Sequence, residues 1–125
     1  MKLLALALAA YALTAQAETL RAGFFRVSPT VIAAANVRGD ELFGTLVTNL
    51  PETSVVDGPQ SAVIDIYGSC GMRQYVTSSL GLFSGPMGGG YMMDYVGPDS
   101  TNRRVMPRTP IAALFDAKCP KSISQ

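Results

Sequence analysis

Apolar and polar residues alternate in short runs along this chain, and glycine or proline breaks most runs before they grow long. Residues 20–27 alternate weakly, and residues 30–37, "TVIAAANV", form a second run. Residues 41–50, "ELFGTLVTNL", set Glu41, Thr45 and Asn49 among apolar neighbours. Residues 61–67, "SAVIDIY", place Ala62, Ile64 and Ile66 on one face of a strand. Residues 72–83 predict another strand, with Met72, Val76, Leu80 and Leu82 on one parity and Arg73, Tyr75 and Thr77 on the other. Residues 91–96 predict the last strand. Pro51, Gly58 and Pro59 keep the polar stretch 51–61 out of any central strand. The glycine-rich stretch 84–90 predicts a turn or flexible loop, and "GPDSTNRR" a polar loop.

Near its end the chain changes period. Thr109 is a good N-cap and Pro110 a good first helical residue. Ile111, Leu114, Phe115 and Cys119 then fall on one helical face, and Pro120 stops the helix. The pattern predicts an α+β fold: an antiparallel β-sheet of about five to six strands with a short C-terminal helix packed on it.

The first residues follow a different logic. Lys2 precedes an apolar run over residues 3–13, and Ala15-Gln16-Ala17 fits a small-x-small cleavage site. Residues 1–17 therefore read as a secretory signal peptide, with one domain over residues 18–125. The run is shorter than the about 20 residues that span a bilayer. No cysteine lies near the cleavage point, so the reading is a periplasmic or secreted protein, not lipid-anchored and not inserted in a membrane once cleaved. The whole chain has Lys+Arg 10 and Asp+Glu 9, and losing Lys2 brings the two into balance. That balance lacks the basic footprint of a nucleic-acid partner and the basic excess that holds a chain on anionic lipid.

Two cysteines remain, Cys70 and Cys119. An even count in an exported chain favours a disulfide, which would tie the helix to the sheet. Two free or intermolecular thiols are the alternative. The closed loop of about 50 residues would contribute roughly 4 kcal/mol by chain entropy.

Candidate chemistry is sparse. The chain has no histidine, which removes the commonest base and metal ligand. Asp65, Asp94, Asp99 and Asp116 are scattered, so no catalytic constellation, cofactor site or metal site is expected, and the chain reads as a non-enzyme. "GPMGGG" lacks the Lys-Ser/Thr of a phosphate loop. Arg103 and Arg104, with Arg108, form a basic cluster that suits an acidic partner. Tyr91 and Met92, beside Met93 and Met87, are adaptable contact residues, although alternation would hide half of such a run in the core. Arg38-Gly39-Asp40 matches an integrin-recognition tripeptide, but it lies between two strand-like runs, where a hairpin needs a glycine-containing turn.

Three motifs occur in order: "SAVIDIYGSC", "GMRQYVTSSLGLFSGPMGGG" and "RRVMPRTPIAALFDAKC". Together, from Ser61 to Cys119, they resemble the bacterial surface-adhesin protein E family. The resemblance implies an antiparallel sheet, a terminal helix packed on it and a disulfide between them. The family's namesake is a surface lipoprotein that binds host matrix proteins and plasminogen; this chain departs from it in lacking a lipid-anchoring cysteine. The expectation is an exported domain with a protein partner, such as a host extracellular-matrix protein, and a homodimer is compatible with it. The alternative is a soluble periplasmic accessory, inhibitor or immunity-type protein without adhesin activity.

Overall fold

The computed structural model describes residues 22–51 and 57–120. Among these, seven strands form one antiparallel sheet: β1 (Phe25–Ser28), β2 (Val31–Arg38), β3 (Glu41–Asn49), β4 (Ser61–Ser69), β5 (Gln74–Phe83), β6 (Met92–Val96) and β7 (Asp99–Arg104). Strands β1 to β6 lie side by side in chain order, and β7 also pairs with β5. A short 3-10 turn, Pro86–Gly88, and one helix, α1 (Pro110–Lys118), complete the described elements. The expected α+β architecture is present, with one strand beyond the expected five to six.

The extra strand corrects the reading of "GPDSTNRR" as loop. Strand β6 pairs with Leu80–Phe83, while β7 pairs back along the other half of β5, from Thr77 to Gln74. The two are one edge strand interrupted at Gly97-Pro98. A polar segment suits this place, because an edge strand needs partners on one side only. The expected run over 20–27 is realised as β1 from Phe25; residues 20 and 21 lie outside the described residues, as does the proposed leader over 1–17.

Register explains a second correction. Asp65 pairs with Ser79 and Ile66 with Thr77, so Ser78 is an extra residue in β5. Such a bulge reverses the alternation beyond it. Tyr75 and Thr77 therefore share a face with Leu80 and Leu82, and Val76 moves to the other. Tyr75 packs on the core. Met72 lies in the turn before β5, not in the strand. Strand β4 keeps its predicted face: Ile66 is buried, and Ile64 packs on the same cluster.

The core lies between this face and α1. Ala33, Leu42, Leu46, Ile66 and Val105 meet Ala112, Leu114 and Phe115, with Ile111 and Cys119 packed partly buried against them. Two strand glycines make the contact close. A Cβ on Gly44 would lie 2.9 Å from Leu114 Cδ2, and one on Gly68 would lie 2.8 Å from Phe115 Cζ. Those absent side chains leave the space that the helix fills.

The helix ends as its residues predict. Thr109 Oγ1 accepts from the Ala112 amide at 3.1 Å, and the Cys119 amide donates to Phe115 O at 2.8 Å. Cys70 and Cys119 are disulfide-bonded, with Cα atoms 5.6 Å apart across 49 residues of sequence. Among the described residues, no helix is long and apolar enough to cross a membrane.

Candidate functional site

Each end of the sheet is closed by its loops. At one end the β2–β3 tip meets the β4–β5 turn. Only Gly39 and Asp40 separate β2 from β3, and positive φ is confined to Gly39, at +62°. This is the pattern of a two-residue type II′ hairpin turn. The expected turn is therefore present, but the Asp40 carboxylate does not bond to its neighbours in sequence. It accepts from the Gly71 amide at 2.6 Å and from the Ser69 hydroxyl, while its carbonyl accepts from the Cys70 amide at 2.8 Å. The Ser69 bond first, then the Gly71 amide, hold its carboxyl below the usual aspartate range. The tripeptide's acid is thus a structural clamp beside the disulfide.

Arg73 extends that junction. It sits at φ +51°, an uncommon conformation for a side-chain-bearing residue. Its guanidinium lies 3.0 Å from Asp116 of α1 and over the Phe115 ring. Its carbonyl accepts from the Val105 amide at 2.9 Å.

At the opposite end the glycine-rich loop is held by protein groups. Buried Ser61 donates to Gly85 O at 2.7 Å and accepts from the Gly88 amide at 2.8 Å. The Met87 amide donates to Asn49 Oδ1 at 2.7 Å, and the Gly89 amide to Pro86 O. Gly88 and Gly90 have positive φ. The Gly85, Met87, Gly88 and Gly89 amides are thus occupied within the fold, so the segment is an ordered connection.

The expected contact residues lie along the outer edge. Every residue of β6 is exposed. The large apolar side chains there run from 37 % exposure at Met93 to 67 % at Tyr91, and include Met92, Tyr95 and Val96. The expectation that half of Tyr91, Met92 and Met93 would be core is overturned. Alternation selects two faces, but α1 packs over β1 to β4, so nothing among the described residues covers either face at β6. The edge backbone is partly closed. The Tyr95 amide donates to Asp94 Oδ1 at 2.8 Å, the Thr101 amide donates to Asp99 Oδ1 at 2.9 Å, and Pro98 has no amide to offer.

The basic residues are not a cluster in a loop. Arg103 pairs with Tyr75 and Arg104 with Gln74 at successive positions of β7. Arg103 lies 3.4 Å from Asp99, whose carboxyl is held low first by the Thr101 amide. Arg104 has no acidic partner among the described residues. Arg108 is exposed and has φ +62°, just before the helix cap. Tyr91 and Met92 are brought together with Tyr95 on the edge; the arginines follow along the β7 continuation.

The sheet face away from α1 has a mixed surface. Phe43 and Tyr67 pack at a tilt with centroids 4.9 Å apart, and Tyr67 donates to Glu41, which raises the phenol's pKa. One row along, half-buried Asp65 accepts from Thr45 at 2.6 Å and from Ser79 at 2.9 Å. A cleft of about 270 Å³ beyond it is lined by residues including Ile32, Val63, Phe83 and Met87. A second cavity, of about 330 Å³, opens beside α1 on the other face. No carboxylate lines either. Comparison with protein-family models, curated proteins and solved structures finds no match.

Proposed function

We propose that this chain is an exported protein-binding domain and that its contact surface is the β6 edge. The carrying observation is the strand Met92–Val96, exposed at every residue, with exposed Tyr91 beside it. Tyrosine and methionine are enriched where proteins meet, and methionine adapts its shape to varied partners. The blunted backbone favours contact through these side chains over addition of a partner strand. Export rests on the residue 1–17 leader, and the Cys70–Cys119 bond is compatible with it. The resemblance to the surface-adhesin protein E family directs the first choice of partner to host matrix proteins.

The test is surface plasmon resonance of the oxidised chain over immobilised laminin, vitronectin and plasminogen. Saturable binding to at least one, lost in a Met92→Ser/Tyr95→Ser variant, is expected. No saturable binding to any of the three removes the adhesin version. Binding that survives the double variant moves the contact surface elsewhere.

A further inference from the structure

The two outer edges of the sheet are finished differently. At β6 and β7, Pro98 and the amides bonded to Asp94 and Asp99 close part of the backbone. At the other edge, β1 pairs only with the first residues of β2, and that pairing ends at Phe25 and Ala33. The chain turns away before reaching further. Gly23 lies in an exposed turn at φ +87°, and a Cβ there would meet nothing within 4 Å. Among the described residues, Ala34 to Arg38 are therefore paired with β3 alone. Alternation fixes which of their groups face outward. Arg38 and Glu41 flank a two-residue turn, so they bond to each other. The register behind them is unbroken. Asn36 and Ala34 thus also bond toward β3, while Ala35 and Val37 turn their amides and carbonyls outward. These groups have no backbone partner among the described residues, and neither a proline nor a bulge blunts the stretch.

Charge beside this open edge has one sign. Val37 and Ala35 pack toward α1, so Arg38 lies on the opposite face, where it is exposed. On the helix side, exposed Lys118 stands 5.6 Å from the centroid of the Phe25 ring, where the β1 pairing ends. Neither cation has an ion-pair partner among the described residues; Asp116 is held by Arg73 and Asp99 by Arg103. The acids of the adjoining turn are engaged, Asp40 by Ser69 and Gly71 and Glu41 by Tyr67. An added strand would thus meet one unpaired cation on each face. A second copy docked edge to edge would set Arg38 and Lys118 against their own kind, which is unfavourable.

From this geometry we infer that the open edge of β2 takes an extended acidic segment of another protein as an added strand. Its main chain bonds to Ala35 and Val37, and its carboxylates face Arg38 and Lys118. The site lies across the sheet from β6 and does not rest on the proposal made for that surface.

The experiment follows amide resonances and hydrogen exchange of the oxidised chain. Without peptide, the Ala35 and Val37 amides should exchange faster than those of Ala34 and Asn36, which face β3. Three end-blocked probes are then titrated: a glutamate–threonine peptide, its lysine–threonine counterpart, and the glutamate peptide N-methylated along its length. The first should saturate, slow exchange at Ala35 and Val37, and bind about tenfold more tightly than the second. The third keeps the charge but has no main-chain donors, and should not saturate. Ala35→Pro removes an outward amide at an edge that tolerates proline, and should abolish binding. Arg38→Glu/Lys118→Glu changes only exposed side chains and should reverse the preference to the lysine peptide. Ala35 and Val37 amides already protected in the free chain would overturn the inference, and protection that grows with protein concentration would assign the edge to a second copy instead. So would undiminished binding of the N-methylated peptide, equal affinity for the two charged peptides, a charge-reversed variant that still prefers glutamate, or shifts confined to β6.

Discussion

The β4–β5 turn and the β6 edge both lie at a boundary of the same sheet, and both expose a methionine, Met72 in the turn and Met92 at the edge. They differ in what other segments do there. At the turn, other segments arrive and bond to the chain: Asp40 from the β2–β3 tip, Val105 after β7, and Asp116 and Cys119 from the helix end. At β6 no such element arrives among the described residues, and Tyr91, Met92 and Tyr95 stay exposed. Apolar alternation therefore specifies which residues can be buried. Whether they are buried depends on where the one helix lands, and Gly44 and Gly68 direct it to one side.

The largest way to break this contrast is to open the junction. Replacing Cys70 and Cys119 with serine removes a constraint spanning 49 residues, and should cost about 4 kcal/mol in urea unfolding. The loss should be matched by reducing the parent protein. A smaller break adds one methyl group. Gly68→Ala would place its Cβ 2.6 Å from the backbone Gln74 O as well as against Phe115. Backbone cannot move aside cheaply, so a loss of about 1–3 kcal/mol is expected. The same denaturation series should show that the disulfide still forms.

Asp40 supplies a pH-dependent break of the same junction. Its folded pKa is lowered, first by the Ser69 hydroxyl and then by the Gly71 amide. The unfolded chain therefore takes up the proton more readily. The carboxylate's contribution is complete above the unfolded value, about 3.9, and fades as pH falls through the lower folded value. Asp40→Asn should reduce stability at neutral pH and flatten its decline in acid, measured as thermal midpoint against pH. An unchanged acid limb would mean that Asp40 does not contribute to that decline. Asp40→Glu should leave any attachment of integrin-bearing cells unchanged, because the parent carboxylate is already engaged within the fold.

Much of the junction was legible in sequence, but not its convergence. Thr109, Pro110 and the spacing from Ile111 to Cys119 announced the helix, because capping and helical period are local. The Gly39 turn was local too. That Asp40 clamps Ser69 and Gly71 was not, although antiparallel order offers the signal: the β2–β3 and β4–β5 turns must lie at the same end of the sheet. The Ser78 bulge was invisible because inserting one residue leaves each half of the alternation intact. Strand β7 was missed because polar composition resembles loop composition when only one strand edge is paired. The sequence marks the contact residues at β6, yet its alternation puts half of Tyr91, Met92 and Met93 in the core, since alternation cannot report that a covering element is absent.

The smallest expected effect on stability comes from that edge, and its smallness sharpens the comparison. Met92 and Tyr95 are more than half exposed, at 51 % and 57 %. Each gives up little apolar contact when shortened, so Met92→Ser and Tyr95→Ser should each change unfolding free energy by no more than about 0.5 kcal/mol. Leu114→Ala, which empties a fully buried position beside Gly44, should cost about 2–5 kcal/mol. Urea unfolding of the three variants in one buffer measures the difference directly. If the β6 variants lose as much stability as Leu114→Ala, then Tyr91–Val96 belongs to the fold's core energetics and is not a surface kept open for a partner. If they lose almost nothing while binding falls, exposure and function coincide at the strand that α1 leaves uncovered.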